Sequence, residues 1–130
     1  MNTTIKNIII YWLPPVLWMV AIFYFSSQPH FSLTAENTLD FIVFKILHMI
    51  EYGLLYFLLF RGLCKTSSYT VSTMLFLAFF IGALYALSDE YHQSFVPTRE
   101  GKIRDVIIDI LGMGVVYWYI KKNPSRIKNS

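Results

Sequence analysis

Lys45, His48 and Glu51 recur every third position inside a long apolar run. On a helix that spacing lays them along one slowly turning stripe. An imidazole titrates close to neutrality and suits general acid or base work, with Glu51 and Lys45 there to tune it. A second concentration lies in residues 88–114, which hold five of the chain's eight carboxylates: Asp89, Glu90, Glu100, Asp105 and Asp109. Asp89 and Gln93 are four apart, and Tyr85 extends their face. Glu90 continues the small-residue face of Gly82 and Ala86, so it should point toward a neighbouring helix. Asp105, Asp109 and Gly112 share a further face, acidic at one end and bare of side chain beyond. Lys45, Arg99 and Arg104 are cations of the kind that grip phosphate, and they are also the partners a deeply placed Asp109 would need.

Each residue also has a plainer reading. Lys45 could snorkel from the membrane boundary along its own stem, and Asp105 could serve as a helix N-cap. Glu51 lies too deep for snorkelling and Asp109 too far into its helix for capping. An ionisable group at the centre of a bilayer costs about 2.5–3.5 kcal/mol on insertion scales, so both demand partners or water. His48 with Glu51, and Asp89 and Glu90 with His92, could supply metal ligands. The histidines lack paired spacing, however, and the cations compete for the same carboxylates, so no metal and no cofactor is expected. His30 reads as a loop residue, and the single cysteine, Cys64, excludes an internal disulfide.

The elements that must position these residues follow from composition. Of 130 residues, 55% are hydrophobic and only 15% charged, and the mean hydropathy is +0.49. A soluble domain this small could not hide so much apolar surface. Lipid requires backbone hydrogen bonds to close within each segment, so the reading is an all-α integral membrane protein. Apolar blocks at residues 8–25, 41–63, 71–87 and 106–120 give a bundle of four transmembrane helices. The first is bent at Pro14-Pro15. It is long for the apolar core of a signal peptide and lacks a small-residue cleavage site. Residues 26–40 read as a loop, with a helical lead-in from about residue 38. Pro97 ends the third helix, residues 98–104 form a charged loop, and the fourth helix begins near Asp105. One domain covers residues 1–122, followed by a polar, basic tail at 123–130.

Four spans place both termini on one side. The terminal side then carries Lys6, Arg61, Lys65, Lys121, Lys122, Arg126 and Lys128, seven cations against four (Lys45, Arg99, Lys102 and Arg104) on the other. The bias puts both termini in the cytoplasm and the polar site toward the outer face of the cell membrane. No aromatic residues are interleaved with the tail charges, which argues against nucleic acid.

The ordered set Lys45-x-x-His48-x-x-Glu51-Tyr52, Asp89-Glu90-x-x-Gln93-x-Phe95-x-Pro97-x-Arg99 and Asp105-x-x-x-Asp109-x-x-Gly112 resembles the VanZ-like membrane proteins, and Ser26-Ser27-Gln28-Pro29 also fits. The resemblance covers nearly the whole chain. Two positions depart from it: Thr98 stands where the family usually has glycine, and Asp109 where it usually has asparagine. The resemblance implies a small, bacterial, multi-pass membrane protein, in a family whose founding member is associated with teicoplanin resistance. It also draws Tyr52 into the candidate site.

Three functions fit these residues. The first is an outward-facing site for a membrane lipid or lipid-linked envelope precursor, in which Lys45, Arg99 and Arg104 hold phosphate and Tyr52, Gln93, Asp105 and Asp109 complete the binding set. The second is an enzyme at the same place acting on a lipid phosphate or ester, with His48 as acid or base and Glu51, Asp89 and Glu90 in the catalytic group. The third is a structural or transport-accessory subunit whose charges only join the helices.

Overall fold

A computed structural model describes residues 3–29 and 37–128, all helix and loop. Four long helices, α1 (Thr3–Ser26), α2 (Asn37–Thr66), α3 (Val71–Gln93) and α4 (Ile103–Lys122), are followed by a short α5 (Pro124–Lys128). The loop expected at residues 26–40 is trimmed at both ends, since α1 includes Ser26 and α2 already begins at Asn37. Residues 30–36, His30 included, lie outside the described residues.

The first three helices are long and apolar enough to cross a membrane. The fourth is the shortest of the four at 20 residues, with Arg104, Asp105 and Asp109 in its first half and Lys121 and Lys122 at its end. The four expected spans therefore become three apolar helices and a charged-ended fourth packed against them. Large apolar side chains face outward on each, among them Val20, Ile50, Phe76 and Val115, all at least 59% exposed. A hydrocarbon solvent makes that arrangement stable.

Contacts fix the directions of the helices. The Trp12 indole donates to Thr66 Oγ1 at 2.9 Å, and Tyr56 donates to the Leu75 carbonyl at 3.2 Å, so α2 runs antiparallel to both α1 and α3. Lys45 pairs with Asp105 at 2.7 Å, so α2 and α4 run parallel. One end of the bundle thus gathers the C-termini of α1 and α3 with the N-termini of α2 and α4. Between the parallel pair, Gly112 lies directly on the backbone of Met49, where an added Cβ would overlap the Met49 carbonyl. The bare stripe read after Asp105 and Asp109 is this close approach.

The fourth helix begins at Ile103, two residues before the expected start, and ends at Lys122. Its N-cap is Lys102, not Asp105, and the Lys102 side chain makes no capping bond. The Lys102 backbone N–H donates instead to Glu90 Oε1 of α3 at 2.6 Å. Gly101 permits that contact, because a Cβ there would sit 2.6 Å from the Glu90 carbonyl oxygen. The basic tail folds into α5 and buries Ile127, which is 5% exposed.

Substituting Gly112→Ala should destabilise the protein by about 2–3 kcal/mol, because two helix backbones must separate. Gly82→Ala should cost less, since its nearest neighbour is the flexible end of Met113. Thermal unfolding of the two variants in detergent checks the order.

Candidate functional site

Every residue singled out for chemistry belongs to the end where α2 and α4 begin and α1 and α3 finish. A cavity of about 680 Å³ opens there. Its wall includes Lys45, His48, Gln93, Arg99, Arg104 and Asp105 from the expected set. Glu51, Tyr52, Asp89, Glu90 and Asp109 stand behind the wall and are joined to it by hydrogen bonds or close charge contacts.

Asp89 is the centre of the inner layer and is 2% exposed. Three helices each supply it with a donor. Ser26 of α1 makes a short bond to Oδ1, Tyr52 of α2 donates to Oδ2 at 3.1 Å, and Gln93 of α3 donates to the same oxygen at 3.2 Å. Buried carboxylates persist only when their oxygens are satisfied in this way. The chain continues outward: Arg99 Nη1 donates to Gln93 Oε1 at 3.2 Å. Arg99 also donates from Nε to the Gln28 carbonyl at 2.8 Å and from Nη2 to the Phe25 carbonyl at 3.4 Å. Its guanidinium therefore caps the C-terminal end of α1, where free carbonyls and the helix dipole favour a cation. Burial lowers the Arg99 pKa, and the neighbouring carboxylates Asp89, Glu90 and Glu51 act in the opposite direction.

A second layer joins α2 to α4. His48 Nδ1 is buried, has no hydrogen-bond partner among the described residues, and lies 3.7 Å from Glu51 Oε2 and 3.7 Å from Asp109 Oδ1. Asp109 was expected to find Arg99, Arg104 or Lys45. Those cations are committed elsewhere, Lys45 and Arg104 to Asp105 at 2.7 and 3.4 Å and Arg99 to α1, so the imidazole is its closest basic group. Asp105, expected as a possible cap, is instead an ion-pair partner in the first turn of α4, where the helix dipole also favours a carboxylate.

The rim is more exposed. Lys102 pairs with Glu100 at 2.6 Å, and this contact holds the Glu100 carboxyl below its usual range. Arg104 lies over the Phe41 ring, 4.9 Å from its centroid. Thr98 has φ of 67°, the left-handed backbone that glycine prefers. It stands where the resembling family usually carries glycine, and it lines the cavity.

Asp40, Glu100 and Lys102 belong to this assembly and were given no role from the sequence, and Ser26, quoted there only within the Ser26-Ser27-Gln28-Pro29 motif, belongs to it too. Ser26 could have been suspected as a polar residue closing an apolar helix. Asp40, only 2% exposed, reads as an ordinary first-turn carboxylate, and only packing shows its place in the wall. His92, weighed as a metal ligand, stacks on Phe23 with ring centroids 4.4 Å apart. Among the described residues no group of three His, Cys, Asp or Glu side chains is placed to hold a metal.

Asp89→Asn should destabilise the bundle by roughly 2 kcal/mol or more, since an amide cannot accept from all three donors. Thr98→Gly should stabilise it by about 1 kcal/mol by relieving the left-handed backbone of a β-branched residue. Denaturation in detergent, monitored by circular dichroism, tests both signs.

A family model described as VanZ/LLP1 matches residues 11–123. No curated protein and no solved structure matches the chain. The matched span includes every residue of the polar assembly, and on that match the chain belongs to the VanZ/LLP1 family of membrane proteins.

Proposed function

We propose that the chain binds the phosphate-bearing headgroup of an envelope lipid, or of a lipid-linked envelope precursor, in the cavity at the head of α2 and α4. The observation that carries this reading is the cavity wall. Lys45, Arg99, Lys102 and Arg104 line it with three carboxylates, Asp40, Glu100 and Asp105. A phosphate entering there exchanges with Asp105 or Glu100 for the lysines and Arg104, while Arg99 stays anchored to α1. The location supports the same reading. Helix ends of a membrane bundle lie at the level of lipid phosphates, and the positive bias of the opposite end directs this one outward, with both termini in the cytoplasm.

A second reading has a specific observation behind it. His48 reaches the cavity wall while its buried Nδ1 faces two carboxylates. A carboxylate that orients one imidazole nitrogen leaves the other available for proton transfer. In that reading the bound lipid phosphate or ester is converted as well as held. The family's founding member is associated with teicoplanin resistance, which adds one cellular consequence: if the headgroup belongs to a cell-wall precursor, deletion of this chain shifts glycopeptide susceptibility.

Lipid co-purifying with the intact protein, quantified by mass spectrometry, separates the readings. Lys45→Gln should lower the bound phosphate-bearing lipid about tenfold, the worth of one charge-assisted hydrogen bond. Unchanged lipid in a folded Lys45→Gln protein would remove the binding proposal. His48→Gln should leave lipid bound. Loss of a lipid conversion product in that variant, with binding intact, would assign His48 to catalysis.

A further inference from the structure

The opposite end of the bundle has a different electrostatic character. It carries Lys6, Arg61, Lys65, Lys121, Lys122 and Arg126, and no Asp or Glu among the described residues. At the candidate site the lysines and Arg104 are paired with carboxylates; here no Asp or Glu of the described residues competes for Lys121. A groove of about 700 Å³ lies between the start of α3 and the end of α4. Val71, Leu75 and Phe79 of α3 and Tyr117 of α4 form its apolar walls, with Ser72 and Lys121 at the level of the helix ends. From Val71 to Phe79 the groove follows roughly 12 Å of helix axis. The Lys121 ammonium lies 5.7 Å from the centroid of the Tyr117 ring, whereas Lys122 lies over Trp118 at 4.0 Å and does not line the groove.

We propose that this groove seats one anionic phospholipid, its phosphate at Lys121 and Ser72 and the upper part of an acyl chain along Val71, Leu75, Phe79 and Tyr117. Charge complementarity selects this occupant. A second copy of the chain would bring its own basic end against this one, and like charges oppose that docking. A zwitterionic lipid gains less, because its own cation meets basic side chains and no Asp or Glu among the described residues. The binding place is separate from the cavity at the head of α2 and α4 and does not depend on what that cavity holds.

The test uses full-length protein, titrated with phosphatidylglycerol in a phosphatidylcholine background, with bound lipid counted by native mass spectrometry. Phosphatidylglycerol should be retained in preference to phosphatidylcholine. Lys121→Gln should weaken that retention about fivefold, the contribution of one lysine at an anionic lipid surface. Lys122→Gln removes the same net charge outside the groove and should leave retention near the wild-type level. Ser72→Trp, at an exposed position, should block the mouth and abolish it, with an unchanged circular dichroism melt. Glycerol phosphate, which has no acyl chain, should not displace the bound lipid. Equal losses in Lys121→Gln and Lys122→Gln, unaltered retention in Ser72→Trp, displacement by glycerol phosphate, or no preference over phosphatidylcholine would each overturn the proposal.

Discussion

A carboxylate in the interior of a membrane bundle has no water to turn to, and Asp89 meets that condition with one donor from each of three helices. Ser26, Tyr52 and Gln93 can reach it together only if α1, α2 and α3 are rotated to present those side chains at one level. Apolar packing alone would not choose that rotation, because lipid tails are as good a solvent for leucine as another helix is. Further ties hold the same arrangement from the side of α1. The Trp18 indole donates to the Glu51 carbonyl at 2.9 Å, and Tyr85 donates to the Met19 carbonyl at 2.6 Å. Arg99 then closes the end of α1 onto Gln93, so the loop after Pro97 is held by the network it borders.

The fourth helix is held by a different balance. Gly112 lets it approach Met49 of α2 at backbone distance, and the closeness brings Asp105 to Lys45 and Asp109 to His48. Glu90 fixes where the helix begins by accepting the Lys102 N–H. Packing and electrostatics are therefore coupled along the α2–α4 seam, because loss of close approach would also separate the charged partners. Beside the same seam lie the polar cavity, which Gln93 of α3 also lines, and an outward apolar face lined by Ile46, Met49 and Gly53. Among the described residues the charge is sorted along the bundle: carboxylates crowd toward one end together with four cations, while the charged side chains of the other end are all cationic. The two ends thus offer different chemistry to the two membrane boundaries.

Much of this was legible from residue order. Blocks of apolar residues can be stable only as lipid-exposed helices, so the class of fold follows from composition and run length. The three-residue spacing from Lys45 to Glu51 and the faces of Asp89 with Gln93 and Asp105 with Asp109 follow from helical geometry. So did the approach surface at Gly112. The family motifs supplied Tyr52, and they marked the position of Thr98, whose left-handed backbone is the one glycine would adopt.

What the sequence could not decide was partner choice. Asp109 had three plausible cations by charge alone, yet it faces His48, because Lys45 and Arg104 lie closer to Asp105 and Arg99 is held by α1 carbonyls. Asp105 had the composition of a cap and became an ion pair, because the loop reaches Glu90 first and starts the helix two residues earlier. Ser26 and Asp40 entered the assembly only when remote segments packed together. Periodicity states which residues share a face of one helix. Which face meets which neighbour depends on the rotation and depth of every helix at once, and only the tertiary structure contains those quantities.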